Sequence, residues 1–368
     1  LLKRYSLVSG WGLNKWAQVK IFIPKNLEEL VNLIKKSNSG SILVRGLGRS
    51  YGDAAQLNER KVIKLENFKK IKLNSSKSTL TVGGGATLNE IIKEIVPKGF
   101  FLPVVPGTSN ITIGGAVASD VHGKNHYNDG SFGNHVTKIS LIDGNGHLQE
   151  LSPFIENQKE KFWATVGGMG LTGVIYEVNL NLLSISSSLI QVDTKRFNNI
   201  EDLIIEMEKN KMNYKYSVAW IDGLNKNFRG VLTRGNHLEL DSLKAYEKKN
   251  PLVLKNIKKR SKPKFLTKIF LNKLTVKIFN ILWFYKSPIN EIGKHESISK
   301  FFHPLDKIKD WNKIYGSKGF IQYQFFVPNN SKEKIKFVLN YFKRNGVPCF
   351  LTVLKRFGKR NDSHLSFP

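Results

Sequence analysis

The chain reads as an α+β protein, and three observations carry that reading. Strands, glycine-rich loops and helices follow one another as strand–loop–strand–helix, without the regular β-α-β alternation of a doubly wound sheet. With 368 residues and 40% hydrophobic content, the chain is a folded globular protein too long for one ordinary core, and two domains suit it. Finally, the stretch Leu102–His135 holds six glycines, three histidines and a lysine, with hardly a long apolar side chain after Val121. No core strand or helix has that composition, and loops of this length are usually functional or disordered.

Composition narrows the function classes. One cysteine, Cys349, excludes an intrachain disulfide framework and a cysteine-built zinc site, and no metal site is expected. No run reaches the ~18–20 apolar residues of a spanning helix. The opening Leu1-Leu2-Lys3-Arg4-Tyr5 lacks the apolar core of a secretory signal. A cytoplasmic protein, at most peripheral to a membrane, is therefore expected, and the missing initiator methionine points to a start inside a longer product. The net charge of +29 implies attraction to phosphates or an anionic membrane, unless the Lys-, Asn- and Ile-rich composition is codon bias alone. Aromatics and basic residues do not alternate on one sheet face as in RNA-binding modules, so no nucleic-acid partner is expected.

Taken in order, Pro24–Gly40 reads as a helix: Asn26 is an N-cap with Glu29 three residues on, and Leu27, Leu30, Val31 and Ile34 form one apolar stripe. Ser41–Val44 is a short strand that runs into Arg45-Gly46-Leu47-Gly48-Arg49-Ser50-Tyr51-Gly52-Asp53. Tyr51 stands where G-x-G-x-x-G needs glycine, and no Gly-Lys-Ser/Thr follows for a P-loop. The loop instead offers a run of main-chain N–H groups flanked by Arg45 and Arg49, a nest suited to a pyrophosphate, or else a plain turn. Strands follow at Lys61–Leu65 and Thr79–Val82. Thr87 then caps a helix whose Glu90 completes a capping box, whose Leu88, Ile91, Ile92 and Ile95 face inward, and which Gly99 ends.

Beyond the central loop, Val136–Ile142 and His147–Leu151 form a hairpin about Asp143-Gly144-Asn145-Gly146. Glu156–Thr165 is helical. Gly168–Gly173 fits G-x-G-x-x-G, yet Val174–Leu180 alternates as a strand, whereas a dinucleotide fingerprint must open a helix. The serine-rich Ser184–Ser188 reads as a hinge, dividing the chain into 1–185 and 186–368. The second part shows a strand at Ser187–Asp193, a helix at Asn199–Lys211 and a strand at Tyr216–Ile221. From Pro251 to Lys286 there are ten Lys/Arg and no Asp/Glu, and Phe265–Trp283 mixes apolar and basic residues at helical spacing, as a helix lying in a membrane interface does. Phe320–Val327 reads as a strand with Gln322 and Gln324 on one face, and Cys349–Leu354 as another that leads into Lys355-Arg356-Phe357-Gly358.

The segments RGLGRSYGDAAQ, PVVPGTSNITIGGAVASDVHGKNHYNDGSFGNHV and FWATVGGMGLTGVI resemble the PCMH-type flavin domain of the vanillyl-alcohol-oxidase superfamily. Within it, the chain is most similar to the branch acting on polyprenylphosphoryl pentoses of the decaprenylphosphoryl-ribose type, and SVAWID, FFHPLD, YGSKGFIQYQF and VLKRFG extend the likeness over nearly its whole length. The resemblance implies a two-lobed FAD-binding domain followed by a substrate domain with an antiparallel sheet flanked by helices. Val44 to Ala54 would wrap the pyrophosphate. Gly107, Thr112, Ile113, Gly114 and Gly115 would line the ribityl and ring, continued by His122, Gly123, Lys124 and Asn125, with Ile175 closing another side. Leu47 and Arg49 stand in the loop where covalent members often carry a histidine, so the FAD is expected to be non-covalent. Family members continue past Ser366-Phe367-Pro368, into a segment that returns to the flavin domain, so a truncated chain is expected.

Oxidising a secondary alcohol delivers two electrons to the flavin and a proton to a base whose pKa lies near working pH. Lys355 and His122, with Tyr315 third, are the candidates, and the resemblance sets Gln322, Gln324 and Phe357 near Lys355. Trp220 and Tyr315 suit a sugar pocket or, equally, the core. The implied reaction is oxidation of the 2′-hydroxyl of a polyprenylphosphoryl pentose, the first half of an epimerisation completed by an NAD(P)H-dependent short-chain reductase. Two alternatives stay open: an oxidase of a free aldonolactone or alditol, and a catalytically inert phosphate- or nucleic-acid-binding protein.

Overall fold

The computed structural model describes residues 2–38, 40–209, 211–254, 272–347 and 349–367. The α+β class holds, with three main sheets and helices between and against them. The first sheet runs in the order Leu2–Ser9, Trp16–Ile23, Lys61–Ile63, Ile42–Val44; its first pair is antiparallel and the others parallel. The second is antiparallel throughout, in the order Ile71–Asn74, Thr79–Gly83, Val174–Asn181, Val136–Ile142, Leu148–Leu151. The third is also antiparallel, in the order Asn290–Ser297, Leu189–Phe197, Gly230–His237, Tyr216–Ile221, Thr352–Leu354.

Local chemistry explains the elements that were legible. Asn26 accepts a bond from the Glu29 amide and opens the helix Leu27–Lys35, which buries Leu30, Leu33 and Ile34. Thr87 and Glu90 make both bonds of the capping box ahead of Leu88–Ile95, and its four apolar residues are buried. Gly99 follows in the left-handed region at φ 84°, where a side chain would be strained. The Asp143–Gly146 turn joins Val136–Ile142 to Leu148–Leu151 as expected. The Gly168–Gly173 run leads into a strand and opens no helix.

The third sheet is sandwiched between two kinds of core. On one face Ala219, Ile221 and Leu232 pack with Ile200, Leu203 and Met207 of the helix Ile200–Glu208 and with Leu339 of the helix Glu333–Arg344. On the other, Ile190, Val192 and Tyr216 meet Phe301 and Phe302 in a core that continues into Leu88, Phe101 and Val117 of the N-terminal half. The two halves thus share one apolar interior. Ser184–Ser188, expected as a hinge, is well tied down: Ser187 is fully buried and donates to the Leu238 carbonyl, and Ser188 donates to that of Val253.

Two expectations change. Phe320–Val327 belongs to no sheet among the described residues. The segment has β-propensity, but a strand also needs a partner ladder, and the Phe320 amide goes instead to the Gly12 carbonyl. The period-2 reading survives locally, since Gln322 Nε2 donates to Gln324 Oε1 at 2.8 Å. The helix sought in Phe265–Trp283 is found at Lys273–Lys286, its earlier part lying outside the described residues. No helix among the described residues is long and apolar enough to cross a membrane. Replacing Thr87 by alanine removes the cap of Leu88–Ile95 and should lower stability by about 1 kcal/mol, read from the chemical-denaturation midpoint; an unchanged midpoint would show the cap to be dispensable.

Candidate active site

Two loops of the N-terminal half meet with no side chain between them. A Cβ on Gly46 would lie 2.3 Å from Thr112 Oγ1, so only glycine permits the approach. Thr112 in turn caps Ile113–Ala118, accepting from the Gly115 amide. The Gly114 amide donates to the Gly84 carbonyl at 3.0 Å, and a Cβ on Gly84 would strike the Ile175 carbonyl at 2.0 Å. Gly46, Thr112, Ile113, Gly114, Gly115 and Ile175 are therefore brought together, although the side chains of Ile113 and Ile175 are buried in the core.

Arg45 and Arg49, expected to flank a phosphate nest, are mainly braces. Arg45 lies under Gly48 (φ 63°) and donates to the carbonyls of Ala55 (2.5 Å) and Ser9 (2.6 Å). Arg49 donates to the Asn110 carbonyl at 2.9 Å and lies over the Trp11 ring at 3.8 Å. The carbonyls of Ser50 and Tyr51 are turned away, accepting from Trp11 and Gly12. The amides of Gly46, Leu47, Gly48, Arg49, Ser50, Tyr51, Gly52 and Ala54 donate to no acceptor among the described residues, while that of Asp53 meets its own carboxylate and that of Arg45, next after Val44, is held by Ile63. A Cβ on Gly52 or Gly107 would meet only open space. Bare donors beside two open glycine faces fit a diphosphate.

The far side of this wall is set by FFHPLD. The Asp306 carboxylate accepts from Thr108 Oγ1 (2.5 Å), the Ser109 amide (2.8 Å) and Ser109 Oγ (2.8 Å), fixing the loop that carries Gly107. Lys124 donates to the Phe301 carbonyl, with its ammonium 4.0 Å from the Phe301 ring centroid. Asn125 donates to the Pro103 carbonyl, and Gly123 has no room for a Cβ beside the Asn125 side chain.

At the end of this wall stands a cluster of titratable groups. Thr352–Leu354 delivers Lys355 to the sheet face that also carries Trp220, because Trp220 and Val353 are register partners and side chains alternate. Lys355 Nζ lies 3.5 Å from His122 Nδ1, and Gln324 Nε2 lies 3.3 Å from His122 Nε2. Phe357 stands edge-on to both His122 (4.9 Å) and His126 (4.5 Å). Burial is the main cause of every shift here. It lowers Lys355 to about 8. Burial, then the charge of Lys355, lowers Lys124 to about 7 and His122 to about 3. His126 falls to about 4, chiefly through burial.

The structure thus brings together Lys355, His122, Gln322, Gln324 and Phe357. Tyr315 is elsewhere: its ring packs on Trp311, Phe320 and Phe350, in the aromatic group that includes Tyr51. Three contributors were not evident as site residues in the sequence. Buried Asp120 gathers Ser131, the Gly133 amide and Asn361, so the stretch after Phe357 lies back on the N-terminal half. Asp306 lay within a quoted motif, but its role depends on a contact 197 residues away in sequence. His126 could have been found from the His-x3-His spacing.

Residues 20–152 match the FAD-binding domain family model. The chain is 34% identical to decaprenylphosphoryl-beta-D-ribose oxidase of Mycolicibacterium smegmatis over 367 residues, 98% of this chain and 79% of that protein. The chain belongs to that family of PCMH-type FAD-binding oxidoreductases. It is also 25% identical to an uncharacterized protein in the mprA 5' region of Streptomyces coelicolor, covering 77% of this chain and 78% of that protein. Alditol oxidase of a Streptomyces species matches at 24%, over 48% of this chain and 41% of its own. Membership makes FAD the group for which the bare amides are suited. Asp306→Ala should weaken FAD binding by apo-protein roughly tenfold, with Asp306→Asn intermediate, in a fluorescence-quenching titration; wild-type affinity in both variants would refute the clamp's role.

Proposed function

We propose that the chain oxidises the 2′-hydroxyl of a polyprenylphosphoryl pentose, of the decaprenylphosphoryl-ribose type, to the 2′-keto sugar. On this reading residues 1–185 bind FAD non-covalently and 186–368 form the substrate domain. FAD, when bound, accepts the two electrons that alcohol oxidation releases. The protein's own work is to hold the carbinol carbon at the ring and to take the proton of its hydroxyl. Misplacement by ~1 Å costs about 10²-fold, which is why so many contacts converge on the wall.

Lys355 is the better base. A histidine lowered to about 3 is almost wholly neutral at working pH but has little affinity for a proton. A lysine near 8 is partly neutral at pH 7 and holds a proton well once it has one. His122 then serves as a neutral hydrogen-bonding neighbour, while burial keeps the ammonium destabilised. Gln324, Gln322, Phe357 and Trp220 would shape the sugar pocket, and Gly107 with Lys124 would border ring and sugar.

The observation that favours a lipid-linked substrate over a free aldonolactone or alditol is the helix Lys273–Lys286. Only Val276, Asn280 and Phe284 are buried, while Leu274, Ile278, Phe279, Leu282, Trp283 and Tyr285 are exposed beside Lys273, Lys277 and Lys286. An apolar surface ringed by lysines is suited to an anionic bilayer, where a polyprenyl tail is anchored. The keto sugar would pass to an NAD(P)H-dependent short-chain reductase, which completes the epimerisation.

Two measurements test this. Anaerobic addition of a polyprenylphosphoryl pentose should bleach the flavin, and kcat/KM should rise about tenfold per pH unit up to roughly pH 8 and then level off, since the base acts when neutral. Lys355→Met should cost 10²–10⁴-fold and remove that limb, whereas His122→Gln should retain it; a limb that follows His122 would reverse the assignment. Flotation with anionic liposomes should be lost in a Phe279→Glu/Trp283→Glu variant. Equal flotation with full turnover of a free alditol would favour the soluble-sugar reading.

A further inference from the structure

VLKRFG places one residue that the oxidation does not use. Lys355 and Phe357 face the His122 cluster, whereas Arg356 points through the other side of the third sheet, beside the helix Ile200–Glu208. There a partly enclosed cavity of about 20 Å³ is lined by Lys124, Lys211, Lys215, Ser217, Arg234 and Arg356. Ser217 and Arg234 are register partners on adjacent strands, so their side chains rise together from one face.

The charge around this cavity is not balanced. Lys215 pairs with Asp129 (2.9 Å), Arg234 with Glu206 (3.1 Å) and Arg356 with Glu208 (2.7 Å), which Lys332 also shares at 3.2 Å. Lys211 has no carboxylate among the described residues and lies over the Tyr127 ring at 5.5 Å. The guanidinium planes are fixed by stacking, Arg356 over Tyr127 at 4.1 Å and Arg234 over Tyr214 at 4.3 Å. Three buried polar atoms of the lining residues, Ser217 Oγ, Arg356 Nε and Arg356 Nη1, make no well-aligned hydrogen bond among the described residues, Nη1 having only its ion-pair contact with Glu208. Buried donors without acceptors are uncommon and call for an explanation. Fixed cationic forks and an idle hydroxyl are the equipment that recognises a tetrahedral oxyanion.

We propose that this cavity is a second, non-catalytic site that binds a phosphate group, on the sheet face opposite Lys355. A water molecule would fit the volume and satisfy Ser217, but it would leave the surplus of cations uncompensated. Phosphate supplies both acceptors and charge. The proposal does not depend on the oxidase reading, because occupancy is measured without turnover.

The test is calorimetric titration of the FAD-loaded chain with inorganic phosphate at fixed ionic strength. One saturable site is expected. Lys211→Gln and Arg356→Met should each weaken it at least about tenfold, and Ser217→Ala by several-fold, while the remote exposed Lys98→Gln should have no effect. Lys211→Gln removes no ion pair, so it remains informative if Arg356→Met fails to fold. Absence of saturable binding, or equal affinity in all variants, would overturn the site: the first leaves water as the occupant, the second only diffuse attraction to a +29 chain. Geranyl phosphate added to the phosphate-loaded protein separates two sources of the same chemistry. Displacement assigns the site to a lipid-linked phosphate, and failure to displace assigns it to the free anion.

Discussion

The contact of Gly46 with Thr112 governs much of what surrounds it. With hydrogen as the only side chain, one loop can press directly against the cap of Ile113–Ala118. That closeness forces the polar main chain of Gly46–Ala54 to find partners elsewhere. The carbonyls of Ser50 and Tyr51 find them in Trp11 and Gly12, and most of its amides are left without an acceptor among the described residues. A main chain made bare in this way is a liability in a free-standing protein and an asset in one that binds a diphosphate, because unsatisfied N–H groups lose little on meeting an anion. The arginines follow the same logic. Held by the Ser9, Ala55 and Asn110 carbonyls, they stiffen the loop and leave recognition to amides that cannot swing away.

The titratable end inherits its chemistry from this rigidity. Asp306 ties the Gly107 loop to the segment after Asn290–Ser297, and Lys124 is held to Phe301 in the same segment. Lys355, Lys124, His122 and His126 are thus crowded into a place poor in water and poor in carboxylates. Each ammonium that forms there raises the cost of the next, which is why burial and the Lys355 charge both push Lys124 and His122 down. A lysine brought near 8 therefore requires no dedicated partner. It follows from the packing of two halves over one apolar interior.

Local signals carried much of this fold. Asn26, Thr87 and the Asp143–Gly146 turn act within a few residues, and their caps and turn were legible because the chemistry is local. The glycine loops were legible as anomalies, since no core element tolerates such composition. What escaped needed distant partners. Leu2–Ser9 and Trp16–Ile23 alternate only weakly. Gly230–His237 carries Gly235 where a Cβ would strike the Gln191 carbonyl, so a residue that reads as a breaker is a packing necessity. Phe320–Val327 shows the opposite failure, a strand-like sequence without a ladder. At the site, Lys355, His122 and Gln324 were nameable, whereas Asp120 and Asp306 were not, because a carboxylate reveals its role only through what folds against it.

The excess of positive charge can be placed more narrowly than composition allows. Fifty-eight Lys and Arg face 29 Asp and Glu, so even complete one-to-one pairing leaves half the cations without a carboxylate. The pairs that do form are mostly exposed, such as Lys15 with Asp53 and Lys98 with Glu94, and contribute little to stability. A surplus that does not hold the fold together must be tolerated against self-repulsion, and that cost falls where anions gather. The buried exceptions confirm the contrast. Asp222 is sunk between Arg229 and Asn280, and this triad anchors the helix Lys273–Lys286 from beneath. The helix is held to the protein by Val276, Asn280 and Phe284 on its inner stripe, yet most of its apolar side chains lie on the exposed faces, where water would select polar ones. On the function proposed above, the headgroup boundary of a bilayer would accept that lysine- and tryptophan-bearing face, and it is also where a polyprenyl phosphate would present its sugar.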